Sequence, residues 1–596
     1  MNIESLIKNN ISQAFQTLYN YNIPEQEVGL QPTRKEFEGS VTFVAFSYSK
    51  ISKKSPEGTA KEIGEYLQVH APAVSAFNVV KGFLNISISD ETWLNVFREK
   101  ITKEGFAIFP ESKEKVMVEY SSPNTNKPLH LGHLRNNFLG YSIAEILKAR
   151  GYKVIKANLV NDRGIHICKS MLAYQKLGNG ETPQSSGLKG DHLIGKYYVL
   201  FDKLYKQQIE ELVSKGIDEE QAKKEAPVMK EAQQMLIKWE EGDVAVRNLW
   251  TQMNVWVYEG FDATYKTIGV NFDKFYYESD TYLLGKEVVE EGLNKKVFYK
   301  KEDGSVWVDL TSDGLDEKLL LRGDGTSVYM TQDMGTADLK YKEYSADKSI
   351  YVVGNEQDYH FKVLILILKK LGRIYADGIY HLSYGMVDLP SGKMKSREGT
   401  VVDADDLVQE MTDTAERYTK ELGKIEGFSG EEASELYTTV GLGALKYFLL
   451  KVDPKKRMLF NPEESVEFQG NTGPFIQYTF ARISAIIRKA EQLGINYDSK
   501  DFAGYKSLHP TEKETIILLN QFPTKIEEAA AGYSPSVIAQ YVYDIAKDYN
   551  RFYTEVSIFN EQDKEALSFR IAFSVVVATV IERSMTLLGI KVPERM

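Results

Sequence analysis

The chain has 596 residues, a length that favours about three or four domains, each with a sizeable core. Hydrophobic residues make up 43% and charged residues 26%, an ordinary globular composition that excludes a disordered chain. The formal net charge of −11 excludes a global positive field for nucleic acid, but it leaves room for local basic and aromatic patches. Cys168 is the only cysteine, so intrachain disulfides and cysteine-rich zinc sites are excluded as well.

Targeting and membrane segments are not apparent in the sequence. No charged region followed by an apolar one stands at its start, and no apolar run approaches the ~18 residues that a membrane-spanning helix needs. We therefore expect a cytoplasmic protein with no membrane partner.

Residues 1–112 are predicted to form a separate α/β module. Ile3 to Leu18 has helical periodicity, Ser40 to Tyr48 and Gly82 to Ile88 have the composition of strands, and Gly58 to Leu67 is a helix candidate between turn signals. The residues alone favour a small structural or dimerising module.

Residues 113–400 alternate strand-like and helical segments. The strand candidates are Val116 to Tyr120, Val154 to Leu159, Val328 to Thr331, Ser349 to Val353 and Ile379 to Val387, and His360 to Leu371 is a helix candidate. This alternation predicts a doubly wound, Rossmann-like parallel sheet, whose ligands bind at the carboxyl ends of the strands. A charged helical insertion interrupts it at about residues 170–270, and its charges are most simply a solvated face.

The chain is predicted to be helical beyond residue 401, with a connecting region at 401–470 and an all-helical domain at 471–596. One helical run there is rich in aromatic residues. Such side chains either stack on unpaired RNA bases or pack in a core, and core packing is the better explanation here. The aromatic residues in question are Tyr541, Tyr549, Phe552 and Tyr553.

The most informative stretch is Val116 to Gly151, which has the pattern of a strand, a turn and a helix. The helix is predicted to begin at His130, where free backbone N–H groups and the helix dipole favour phosphate. Gly132 allows a ligand to approach the main chain, and His130 and His133 lie on one face as hydrogen-bond donors. Half a zinc site, or two solvated histidines, would explain this motif in isolation.

A second stretch changes that balance. Ser391 to Thr400 follows a strand candidate and forms a glycine-flanked loop rich in Lys and Arg. Together the two stretches predict a clamp for a phosphate-bearing ligand.

These two motifs resemble the signatures of class I aminoacyl-tRNA synthetases, the "HIGH" motif at His130 to His133 and the "KMSKS" loop at Lys393 to Arg397. The longer string from Ser122 to Arg135 and the chain end Leu588 to Met596 are similar to those of the arginyl-tRNA synthetase family in particular. The resemblance extends over essentially the whole chain. It implies ATP-dependent ligation of L-arginine to an arginine tRNA through arginyl-adenylate.

The resemblance also implies which residues bind ATP. Amino-acid activation brings two anions together, so a protein supplies positioning and cations rather than a covalent nucleophile. The catalytic set is implied to be His130, His133, Lys127, Lys393 and Arg397, and the ATP-binding set to be His130, Gly132, His133, Lys393, Met394 and Ser396. Mg²⁺ is expected to be held by phosphate and water, with no protein metal site and no zinc.

The second motif departs from the common pattern at three positions, where Lys395, Ser396 and Glu398 replace the usual residues. The family often lacks the second lysine of this loop, and a lysine just before the first motif is thought to substitute. Lys127 occupies that place here.

The arginine-binding positions of the family fall on Ser122, Asn124, Glu278, Tyr329, Asp333 and Gln357. Asn124 would hold the α-carboxylate or the amine, and Glu278 and Asp333 would pair with charged groups of the substrate, since a guanidinium prefers carboxylates in fork geometry. Arg163 departs from the family pattern, and we expect it to point away from the pocket or towards RNA. Phe480 also departs, replacing a frequent histidine.

Contacts with tRNA are expected at both ends of the chain. The N-terminal module resembles the family's additional domain, which touches the corner of the tRNA. Residues 473–483 resemble the entry to its anticodon-binding domain, where Gln477, Tyr478 and Arg482 are the RNA-binding candidates. The family further implies a monomer, transfer to the ribose 2′-hydroxyl of the terminal adenosine, and activation only when tRNA is bound.

Three alternatives share parts of this pattern. A cysteinyl enzyme would require zinc ligands, and a glutamyl enzyme would present cations rather than Glu278 and Asp333 to its substrate. A small-molecule adenylyltransferase would not need so large a helical C-terminal domain. A non-catalytic RNA-binding relative would have no reason to keep both motifs together with the pocket residues.

Overall fold

An antiparallel sheet with helices packed on it forms the first unit of the computed structural model, which describes residues 3–34, 36–388, 402–421, 423 and 427–596. Its elements are α1 (Ile3–Tyr19), β1 (Leu30–Pro32), β2 (Val41–Val44), α2 (Ser49–Ser52), α3 (Pro56–His70), β3 (Val74–Val80), β4 (Phe83–Ile88) and α4 (Asp90–Val96). The strand order is β1-β2-β4-β3. The strand predicted to reach Tyr48 ends at Val44, because a 3₁₀ turn begins at Phe46.

The second unit contains a five-stranded sheet and a long helical insertion. Its elements are β5 (Lys115–Glu119), α5 (Leu131–Ala149), β6 (Lys153–Val160), α6 (Ile165–Leu177), α7 (Pro183–Ser186), α8 (Gly190–Ser214), α9 (Glu219–Glu225), α10 (Pro227–Glu240), α11 (Val244–Ile268), β7 (Lys274–Tyr277), α12 (Glu278–Thr281), α13 (Gly285–Asn294), β8 (Phe298–Lys300), β9 (Val306–Val308), β10 (Lys318–Leu321), α14 (Tyr329–Tyr344), β11 (Lys348–Gly354), α15 (Asp358–Lys370) and β12 (Ile379–Tyr384). Helices α6 to α11 constitute the predicted insertion.

The central sheet is wholly parallel and has the order β12-β11-β5-β6-β7. The chain order therefore reverses between β5 and β11, and such a reversal opens a crevice at the carboxyl ends of the strands. Helix α5 leaves β5 at this point. Gly140 of α5 lies so close to Tyr120 that a Cβ atom would come within 2.2 Å of the ring, which fixes the helix against the sheet.

The prediction of a strand at residues 328–331 is wrong, because these residues begin α14. Val328 has extended backbone and caps the helix, and Tyr329 is the first helical residue. Met330, Met334 and Ala337 are buried at helical spacing, so burial along the whole segment outweighs the β-branched composition of its start. Strands β8, β9 and β10 form a separate small antiparallel sheet.

The remainder is helical, as predicted. Its elements are β13 (Val387–Asp388), α16 (Ala404–Glu421), α17 (Gly430–Leu450), β14 (Met458–Leu459), α18 (Pro462–Ser465), α19 (Gly473–Gln492), α20 (Pro510–Asn520), α21 (Phe522–Gly532), α22 (Pro535–Glu555) and α23 (Lys564–Leu587). Helix α23 is tied to the other units: Arg583 donates to the carbonyls of Phe106 and Ala107, and Ser142 of α5 donates to the carbonyl of Leu587 at 2.7 Å. The back of α5 thus rests on the C-terminal bundle.

Candidate functional site

Helix α5 begins with its two histidines bonded to the first turn. The Nδ1 atom of His130 accepts the N–H of Gly132 at 3.1 Å, and Nδ1 of His133 accepts the N–H of His130 at 3.2 Å. Burial, together with the positive charge of Lys127, lowers the pKa of His130 to about 4 and that of His133 well below its ordinary value. Both rings are therefore neutral near pH 7.

The tautomers of these rings follow from their bonds. A neutral imidazole that accepts at Nδ1 carries its proton on Nε2, so His130 and His133 each present one N–H donor. Within the described part of the chain neither Nε2–H has a partner. Gly132 also has a local role, because a Cβ atom there would come within 3.0 Å of the His130 ring. This arrangement suits a phosphate chain, which offers acceptors only.

Lys127 lies beside the histidine pair. Its side chain is half-buried, and burial lowers its pKa. Its ammonium also lowers the pKa values of His130, His133 and His166, so all four groups share one neighbourhood. A cation that has lost part of its water is a stronger partner for phosphate than a solvated one.

The turn between β5 and α5 is held in an unusual conformation. Ser122 has a φ of 45°, in the left-handed region, and its N–H donates to Oδ1 of Asn158 on β6 at 3.2 Å. Asn124 is exposed and forms an isolated parallel bridge with Asn161 after β6. Ser122 and Asn124 therefore both lie at the carboxyl edge of the sheet, next to the crevice.

The second motif lies outside the described residues, and with it Lys393, Met394, Lys395, Ser396, Arg397 and Glu398. The residues before and after it are described. Phe460 donates its N–H to the carbonyl of Asp388 at 2.8 Å, and Leu131 donates to that of Val402 at 2.9 Å. Since Leu131 is the first residue of α5, the chain that follows the second motif is bonded directly to the first.

Glu278 is the central residue of the predicted arginine pocket. It follows β7 directly as the first residue of α12, and it is half-buried. Burial raises its pKa to about 7, the negative charges of Asp162 and Asp333 add to this effect, and Arg163 opposes it. Its carboxylate has no hydrogen bond or ion pair among the described residues. A partly desolvated carboxylate without a partner favours the binding of a cation.

Two further carboxylates fix the surroundings of Glu278. Asp162 accepts hydrogen bonds from the Ser279 N–H at 2.8 Å, the Ser279 hydroxyl at 2.7 Å and the Tyr258 hydroxyl at 2.9 Å. Asp333 on α14 contacts Nε2 of His360 on α15 at 2.5 Å. The predicted contacts Glu278 and Asp333 are thus close enough to influence each other electrostatically.

The other predicted pocket residues are more open. Tyr329 is 76% exposed at the start of α14, and Gln357 is exposed in the residue before α15. Both positions lie at the beginning of a helix. Their side chains are therefore available to a ligand without any rearrangement of the core.

Arg163 is held by the helical insertion. Its Nη2 lies 2.5 Å from Oε1 of Glu240 on α10, and its guanidinium lies over the Tyr282 ring at 4.0 Å. Its charge lowers the pKa of Glu278, so it borders the pocket, but its ion pair turns it towards α10. Arg163 is therefore part of the pocket wall.

The three RNA-binding candidates differ in accessibility. Gln477 is fully buried, and its amide donates to the carbonyls of Thr439 at 3.0 Å and Lys591 at 2.8 Å. Its side chain is thus unavailable to RNA in this conformation, which corrects the expectation from sequence. Tyr478 and Arg482, by contrast, line the wall of a cavity of about 980 Å³.

Arg482 lies between two aromatic rings in that cavity. Its guanidinium carbon lies 4.9 Å from the Tyr478 ring centroid and 4.8 Å from that of Tyr553. Tyr553 is 42% exposed, whereas Tyr541, Tyr549 and Phe552 are buried. Core packing is therefore confirmed for those three, and Tyr553 alone of this group faces the cavity. Phe480, where the family often has histidine, is buried beside them.

Sequence reasoning missed the supporting residues of the pocket. Asp162 stands in the string Asn161 to Gly164, and His360 ends the string Glu356 to His360, yet neither was a candidate. Their partners are 117 and 27 residues away, so spacing gave no signal. None of the described helices is long and apolar enough to cross a membrane.

Family comparisons match the three units of the chain. Residues 2–88 match the arginyl tRNA synthetase N terminal domain, residues 99–461 the catalytic domain of class I tRNA synthetases (R), and residues 476–596 the DALR anticodon binding domain. The chain is 59% identical over 596 residues to an arginine–tRNA ligase of Amoebophilus asiaticus and 57% identical over 598 residues to one of Bacteroides thetaiotaomicron. Each alignment covers 100% of both chains.

Solved structures share the fold. The chain resembles Thermus thermophilus arginyl-tRNA synthetase with a TM-score of 0.78 at 24% identity, covering 100% of both chains. Plasmodium falciparum arginyl-tRNA synthetase gives a TM-score of 0.74 at 19% identity, with 100% and 99% covered. At these identities the likeness concerns the arrangement of the elements.

Proposed function

This chain belongs to the arginyl-tRNA synthetase family, and we propose that it joins L-arginine to its cognate tRNA in two steps that consume ATP. In the first step the arginine carboxylate attacks the α-phosphate of ATP, and pyrophosphate leaves. In the second step the 2′-hydroxyl of the terminal adenosine attacks the carbonyl of the adenylate. The observation that carries the proposal is the unpartnered carboxylate of Glu278, with Asp333 nearby.

The guanidinium of arginine binds between carboxylates. Glu278 and Asp333 supply the negative charge, and fork-shaped pairing with a carboxylate suits a planar guanidinium. Tyr329 and Gln357 complete the wall, and both are exposed at helix starts. Asn124 holds the α-amine or the α-carboxylate of the substrate, which places the carboxylate on the side of α5.

ATP binds at the start of α5. The Nε2–H donors of His130 and His133 bond to phosphate oxygens, and Lys127 adds a partly desolvated positive charge. Lys393 and Arg397 contact the pyrophosphate, with Met394 and Ser396 near the nucleotide; this assignment comes from the sequence motif and from the bond between Leu131 and Val402. Charge that builds on the leaving group is stabilised by these donors.

Mg²⁺ fits this site as a companion of ATP. The groups next to the histidine pair are imidazole N–H donors and an ammonium, which bind phosphate rather than a hard cation. The ion would therefore be held by phosphate oxygens and water, where it offsets the charge of the triphosphate. We propose that no zinc takes part.

The RNA contacts lie at both ends of the chain. In the C-terminal bundle, Tyr478, Arg482 and Tyr553 offer aromatic faces and a guanidinium on which anticodon bases stack. The N-terminal unit is proposed to contact the corner of the tRNA. We further propose a monomer that acts in the cytoplasm; a mass measurement in solution that gives a dimer would contradict the first point.

Charging of tRNA with labelled amino acids tests this proposal. Each of the twenty amino acids is offered in turn with ATP, total tRNA and the protein, and acid-precipitable label is counted. Label from arginine alone supports the proposal. Label from another amino acid refutes the pocket assignment, and no label at all refutes the enzymatic function.

A further inference from the structure

A polar cluster joins the helical insertion to the start of α16. The Lys189 ammonium bonds to Asp405, lies 2.6 Å from the Thr264 hydroxyl oxygen and lies 3.2 Å from Oδ2 of Asp191. Nε2 of His192 lies 3.1 Å from Oδ2 of Asp405. Asp405 thus accepts bonds from α8, from the residue before it and from α11, where the Thr264 hydroxyl donates at 2.9 Å.

The same cluster reaches Asp403, the residue before α16. Oδ2 of Asp403 lies 3.4 Å from Nε2 of His192, while its Oδ1 accepts the N–H of Asp405 at 2.8 Å. Asp403 is therefore held by its own side chain and by its neighbour. Both bonds restrain the backbone of the segment that begins at Val402.

That backbone is paired with the start of α5. His130 and Asp403 form an isolated antiparallel bridge, in which Leu131 donates to the carbonyl of Val402 at 2.9 Å and Ala404 donates to that of Leu129 at 3.0 Å. The bridge thus surrounds the histidine that caps α5 and offers its Nε2–H to the crevice. A shift of Asp403 would shift His130 with it.

Helix α8 also touches the first motif from the other side. A Cβ atom on Gly195 would come within 2.8 Å of the Pro128 ring, so α8 packs directly on the residue that precedes Leu129. At its first residue a Cβ atom on Gly190 would overlap the carbonyl of Trp256, which locks the start of α8 onto α11. The insertion is therefore a firm support for the cluster.

A metal ion is not needed to explain these carboxylates. Asp191, His192 and Asp405 are the group of metal-ligand type found among the described residues, with their ligand atoms within 4.8 Å of one another. The Lys189 ammonium already contacts both carboxylates. It supplies the positive charge that a metal ion would otherwise bring.

We propose that Lys189 and His192 are positioning residues for the activation step, holding Asp405 and Asp403 so that the bridged backbone fixes His130 against the phosphates of ATP. The proposal rests on the proposed function. It assigns a task in catalysis to the helical insertion, whose charges the sequence alone had explained as a solvated surface. Misplacement of a contacting group by about 1 Å costs about 100-fold in rate.

The charge of His192 gives the cluster a pH dependence. Burial by itself lowers the pKa of His192, but the Asp405 hydrogen bond, with Asp403 and Asp191, outweighs burial and the Lys189 charge and raises it. A histidine with a raised pKa stabilises the folded arrangement fully at low pH and loses that contribution as pH rises through the raised value. The cluster is therefore tightest when His192 is protonated.

The test is ATP–pyrophosphate exchange with arginine and tRNA, measured for the wild type, Lys189→Met, Lys189→Arg, His192→Gln and the control Lys196→Met. Lys196 lies on the same helix and pairs with Glu181 instead. We expect Lys189→Met to lower kcat about 10- to 100-fold with the KM for arginine changed less than twofold, because His130 moves and the arginine pocket does not. Lys189→Arg should recover most of the rate, and Lys196→Met should match the wild type.

The pH profile separates positioning from general damage. With arginine saturating, the ratio of wild-type to His192→Gln kcat should be largest at low pH and fall as His192 deprotonates. Unchanged kcat in Lys189→Met and His192→Gln would overturn the proposal, as would equal losses in kcat and in arginine binding, or a ratio that is independent of pH. Absence of exchange in the wild type would instead refute the proposed function itself.

Discussion

Arginine binding should release a proton from Glu278. In the free protein its pKa is raised to about 7, and ionic contact with a guanidinium requires the charged form. A fraction of about 0.9 of the carboxyl groups is then protonated at pH 6 and about 0.1 at pH 8. Binding should release these fractions of a proton, and the apparent affinity should be about tenfold weaker at pH 6 than at pH 8.

Titration calorimetry measures this directly. The enthalpy of arginine binding at each pH is recorded in two buffers of different ionisation enthalpy, and the difference gives the protons released. His130 does not interfere, because its pKa is about 4. Glu278→Gln should bind weakly at every pH and release no proton near pH 6, whereas Asp280→Asn, an exposed neighbour on α12, should behave like the wild type.

The result that would refute this reasoning is equally direct. If affinity is constant between pH 6 and pH 8 and no proton is released, Glu278 does not change its ionisation on binding. The arginine pocket would then have to lie elsewhere. His360→Asn serves as a second control, since it removes the imidazole that contacts Asp333 without touching Glu278.

Two further predictions follow from the placement of individual side chains. Lys127→Ala should sharply lower pyrophosphate exchange, on the order of 100-fold, and leave tRNA binding nearly intact, because the charge lies beside the histidine pair; wild-type exchange in that variant would remove Lys127 from the mechanism. Gln477→Ala should lower the free energy of unfolding by about 2–3 kcal/mol, because two buried carbonyls lose their donor, whereas Arg482→Ala should weaken tRNA binding about 10-fold or more; thermal melting and filter binding of tRNA distinguish the two, and the reverse pattern would contradict the burial argument.

Local sequence patterns were informative where local forces decide the structure. The strands at the centre of the sheet were predicted because both their faces are buried, and the start of α5 because histidine, glycine and the preceding prolines define it. The four residues from Val328 have the composition of a strand. They are helical because the burial of Met334 and Ala337 extends the pattern beyond the short window.

Long-range contacts explain what the sequence could not reveal. The bond between Asp405 and His192 joins residues 213 apart, and that between Asp162 and Ser279 joins residues 117 apart. Helical periodicity also failed to separate Gln477 from Tyr478. The two are consecutive on α19, and only the packing of α17 and the chain end determines that the first is buried and the second lines a cavity.

The measurement that tests the central claim most directly is amino-acid-dependent exchange of pyrophosphate into ATP, run with all twenty amino acids, with and without total tRNA, on the wild type and on Glu278→Gln. The account predicts exchange with arginine alone, only when tRNA is present, and its loss in Glu278→Gln. Exchange with another amino acid, or full activity in Glu278→Gln, would contradict it.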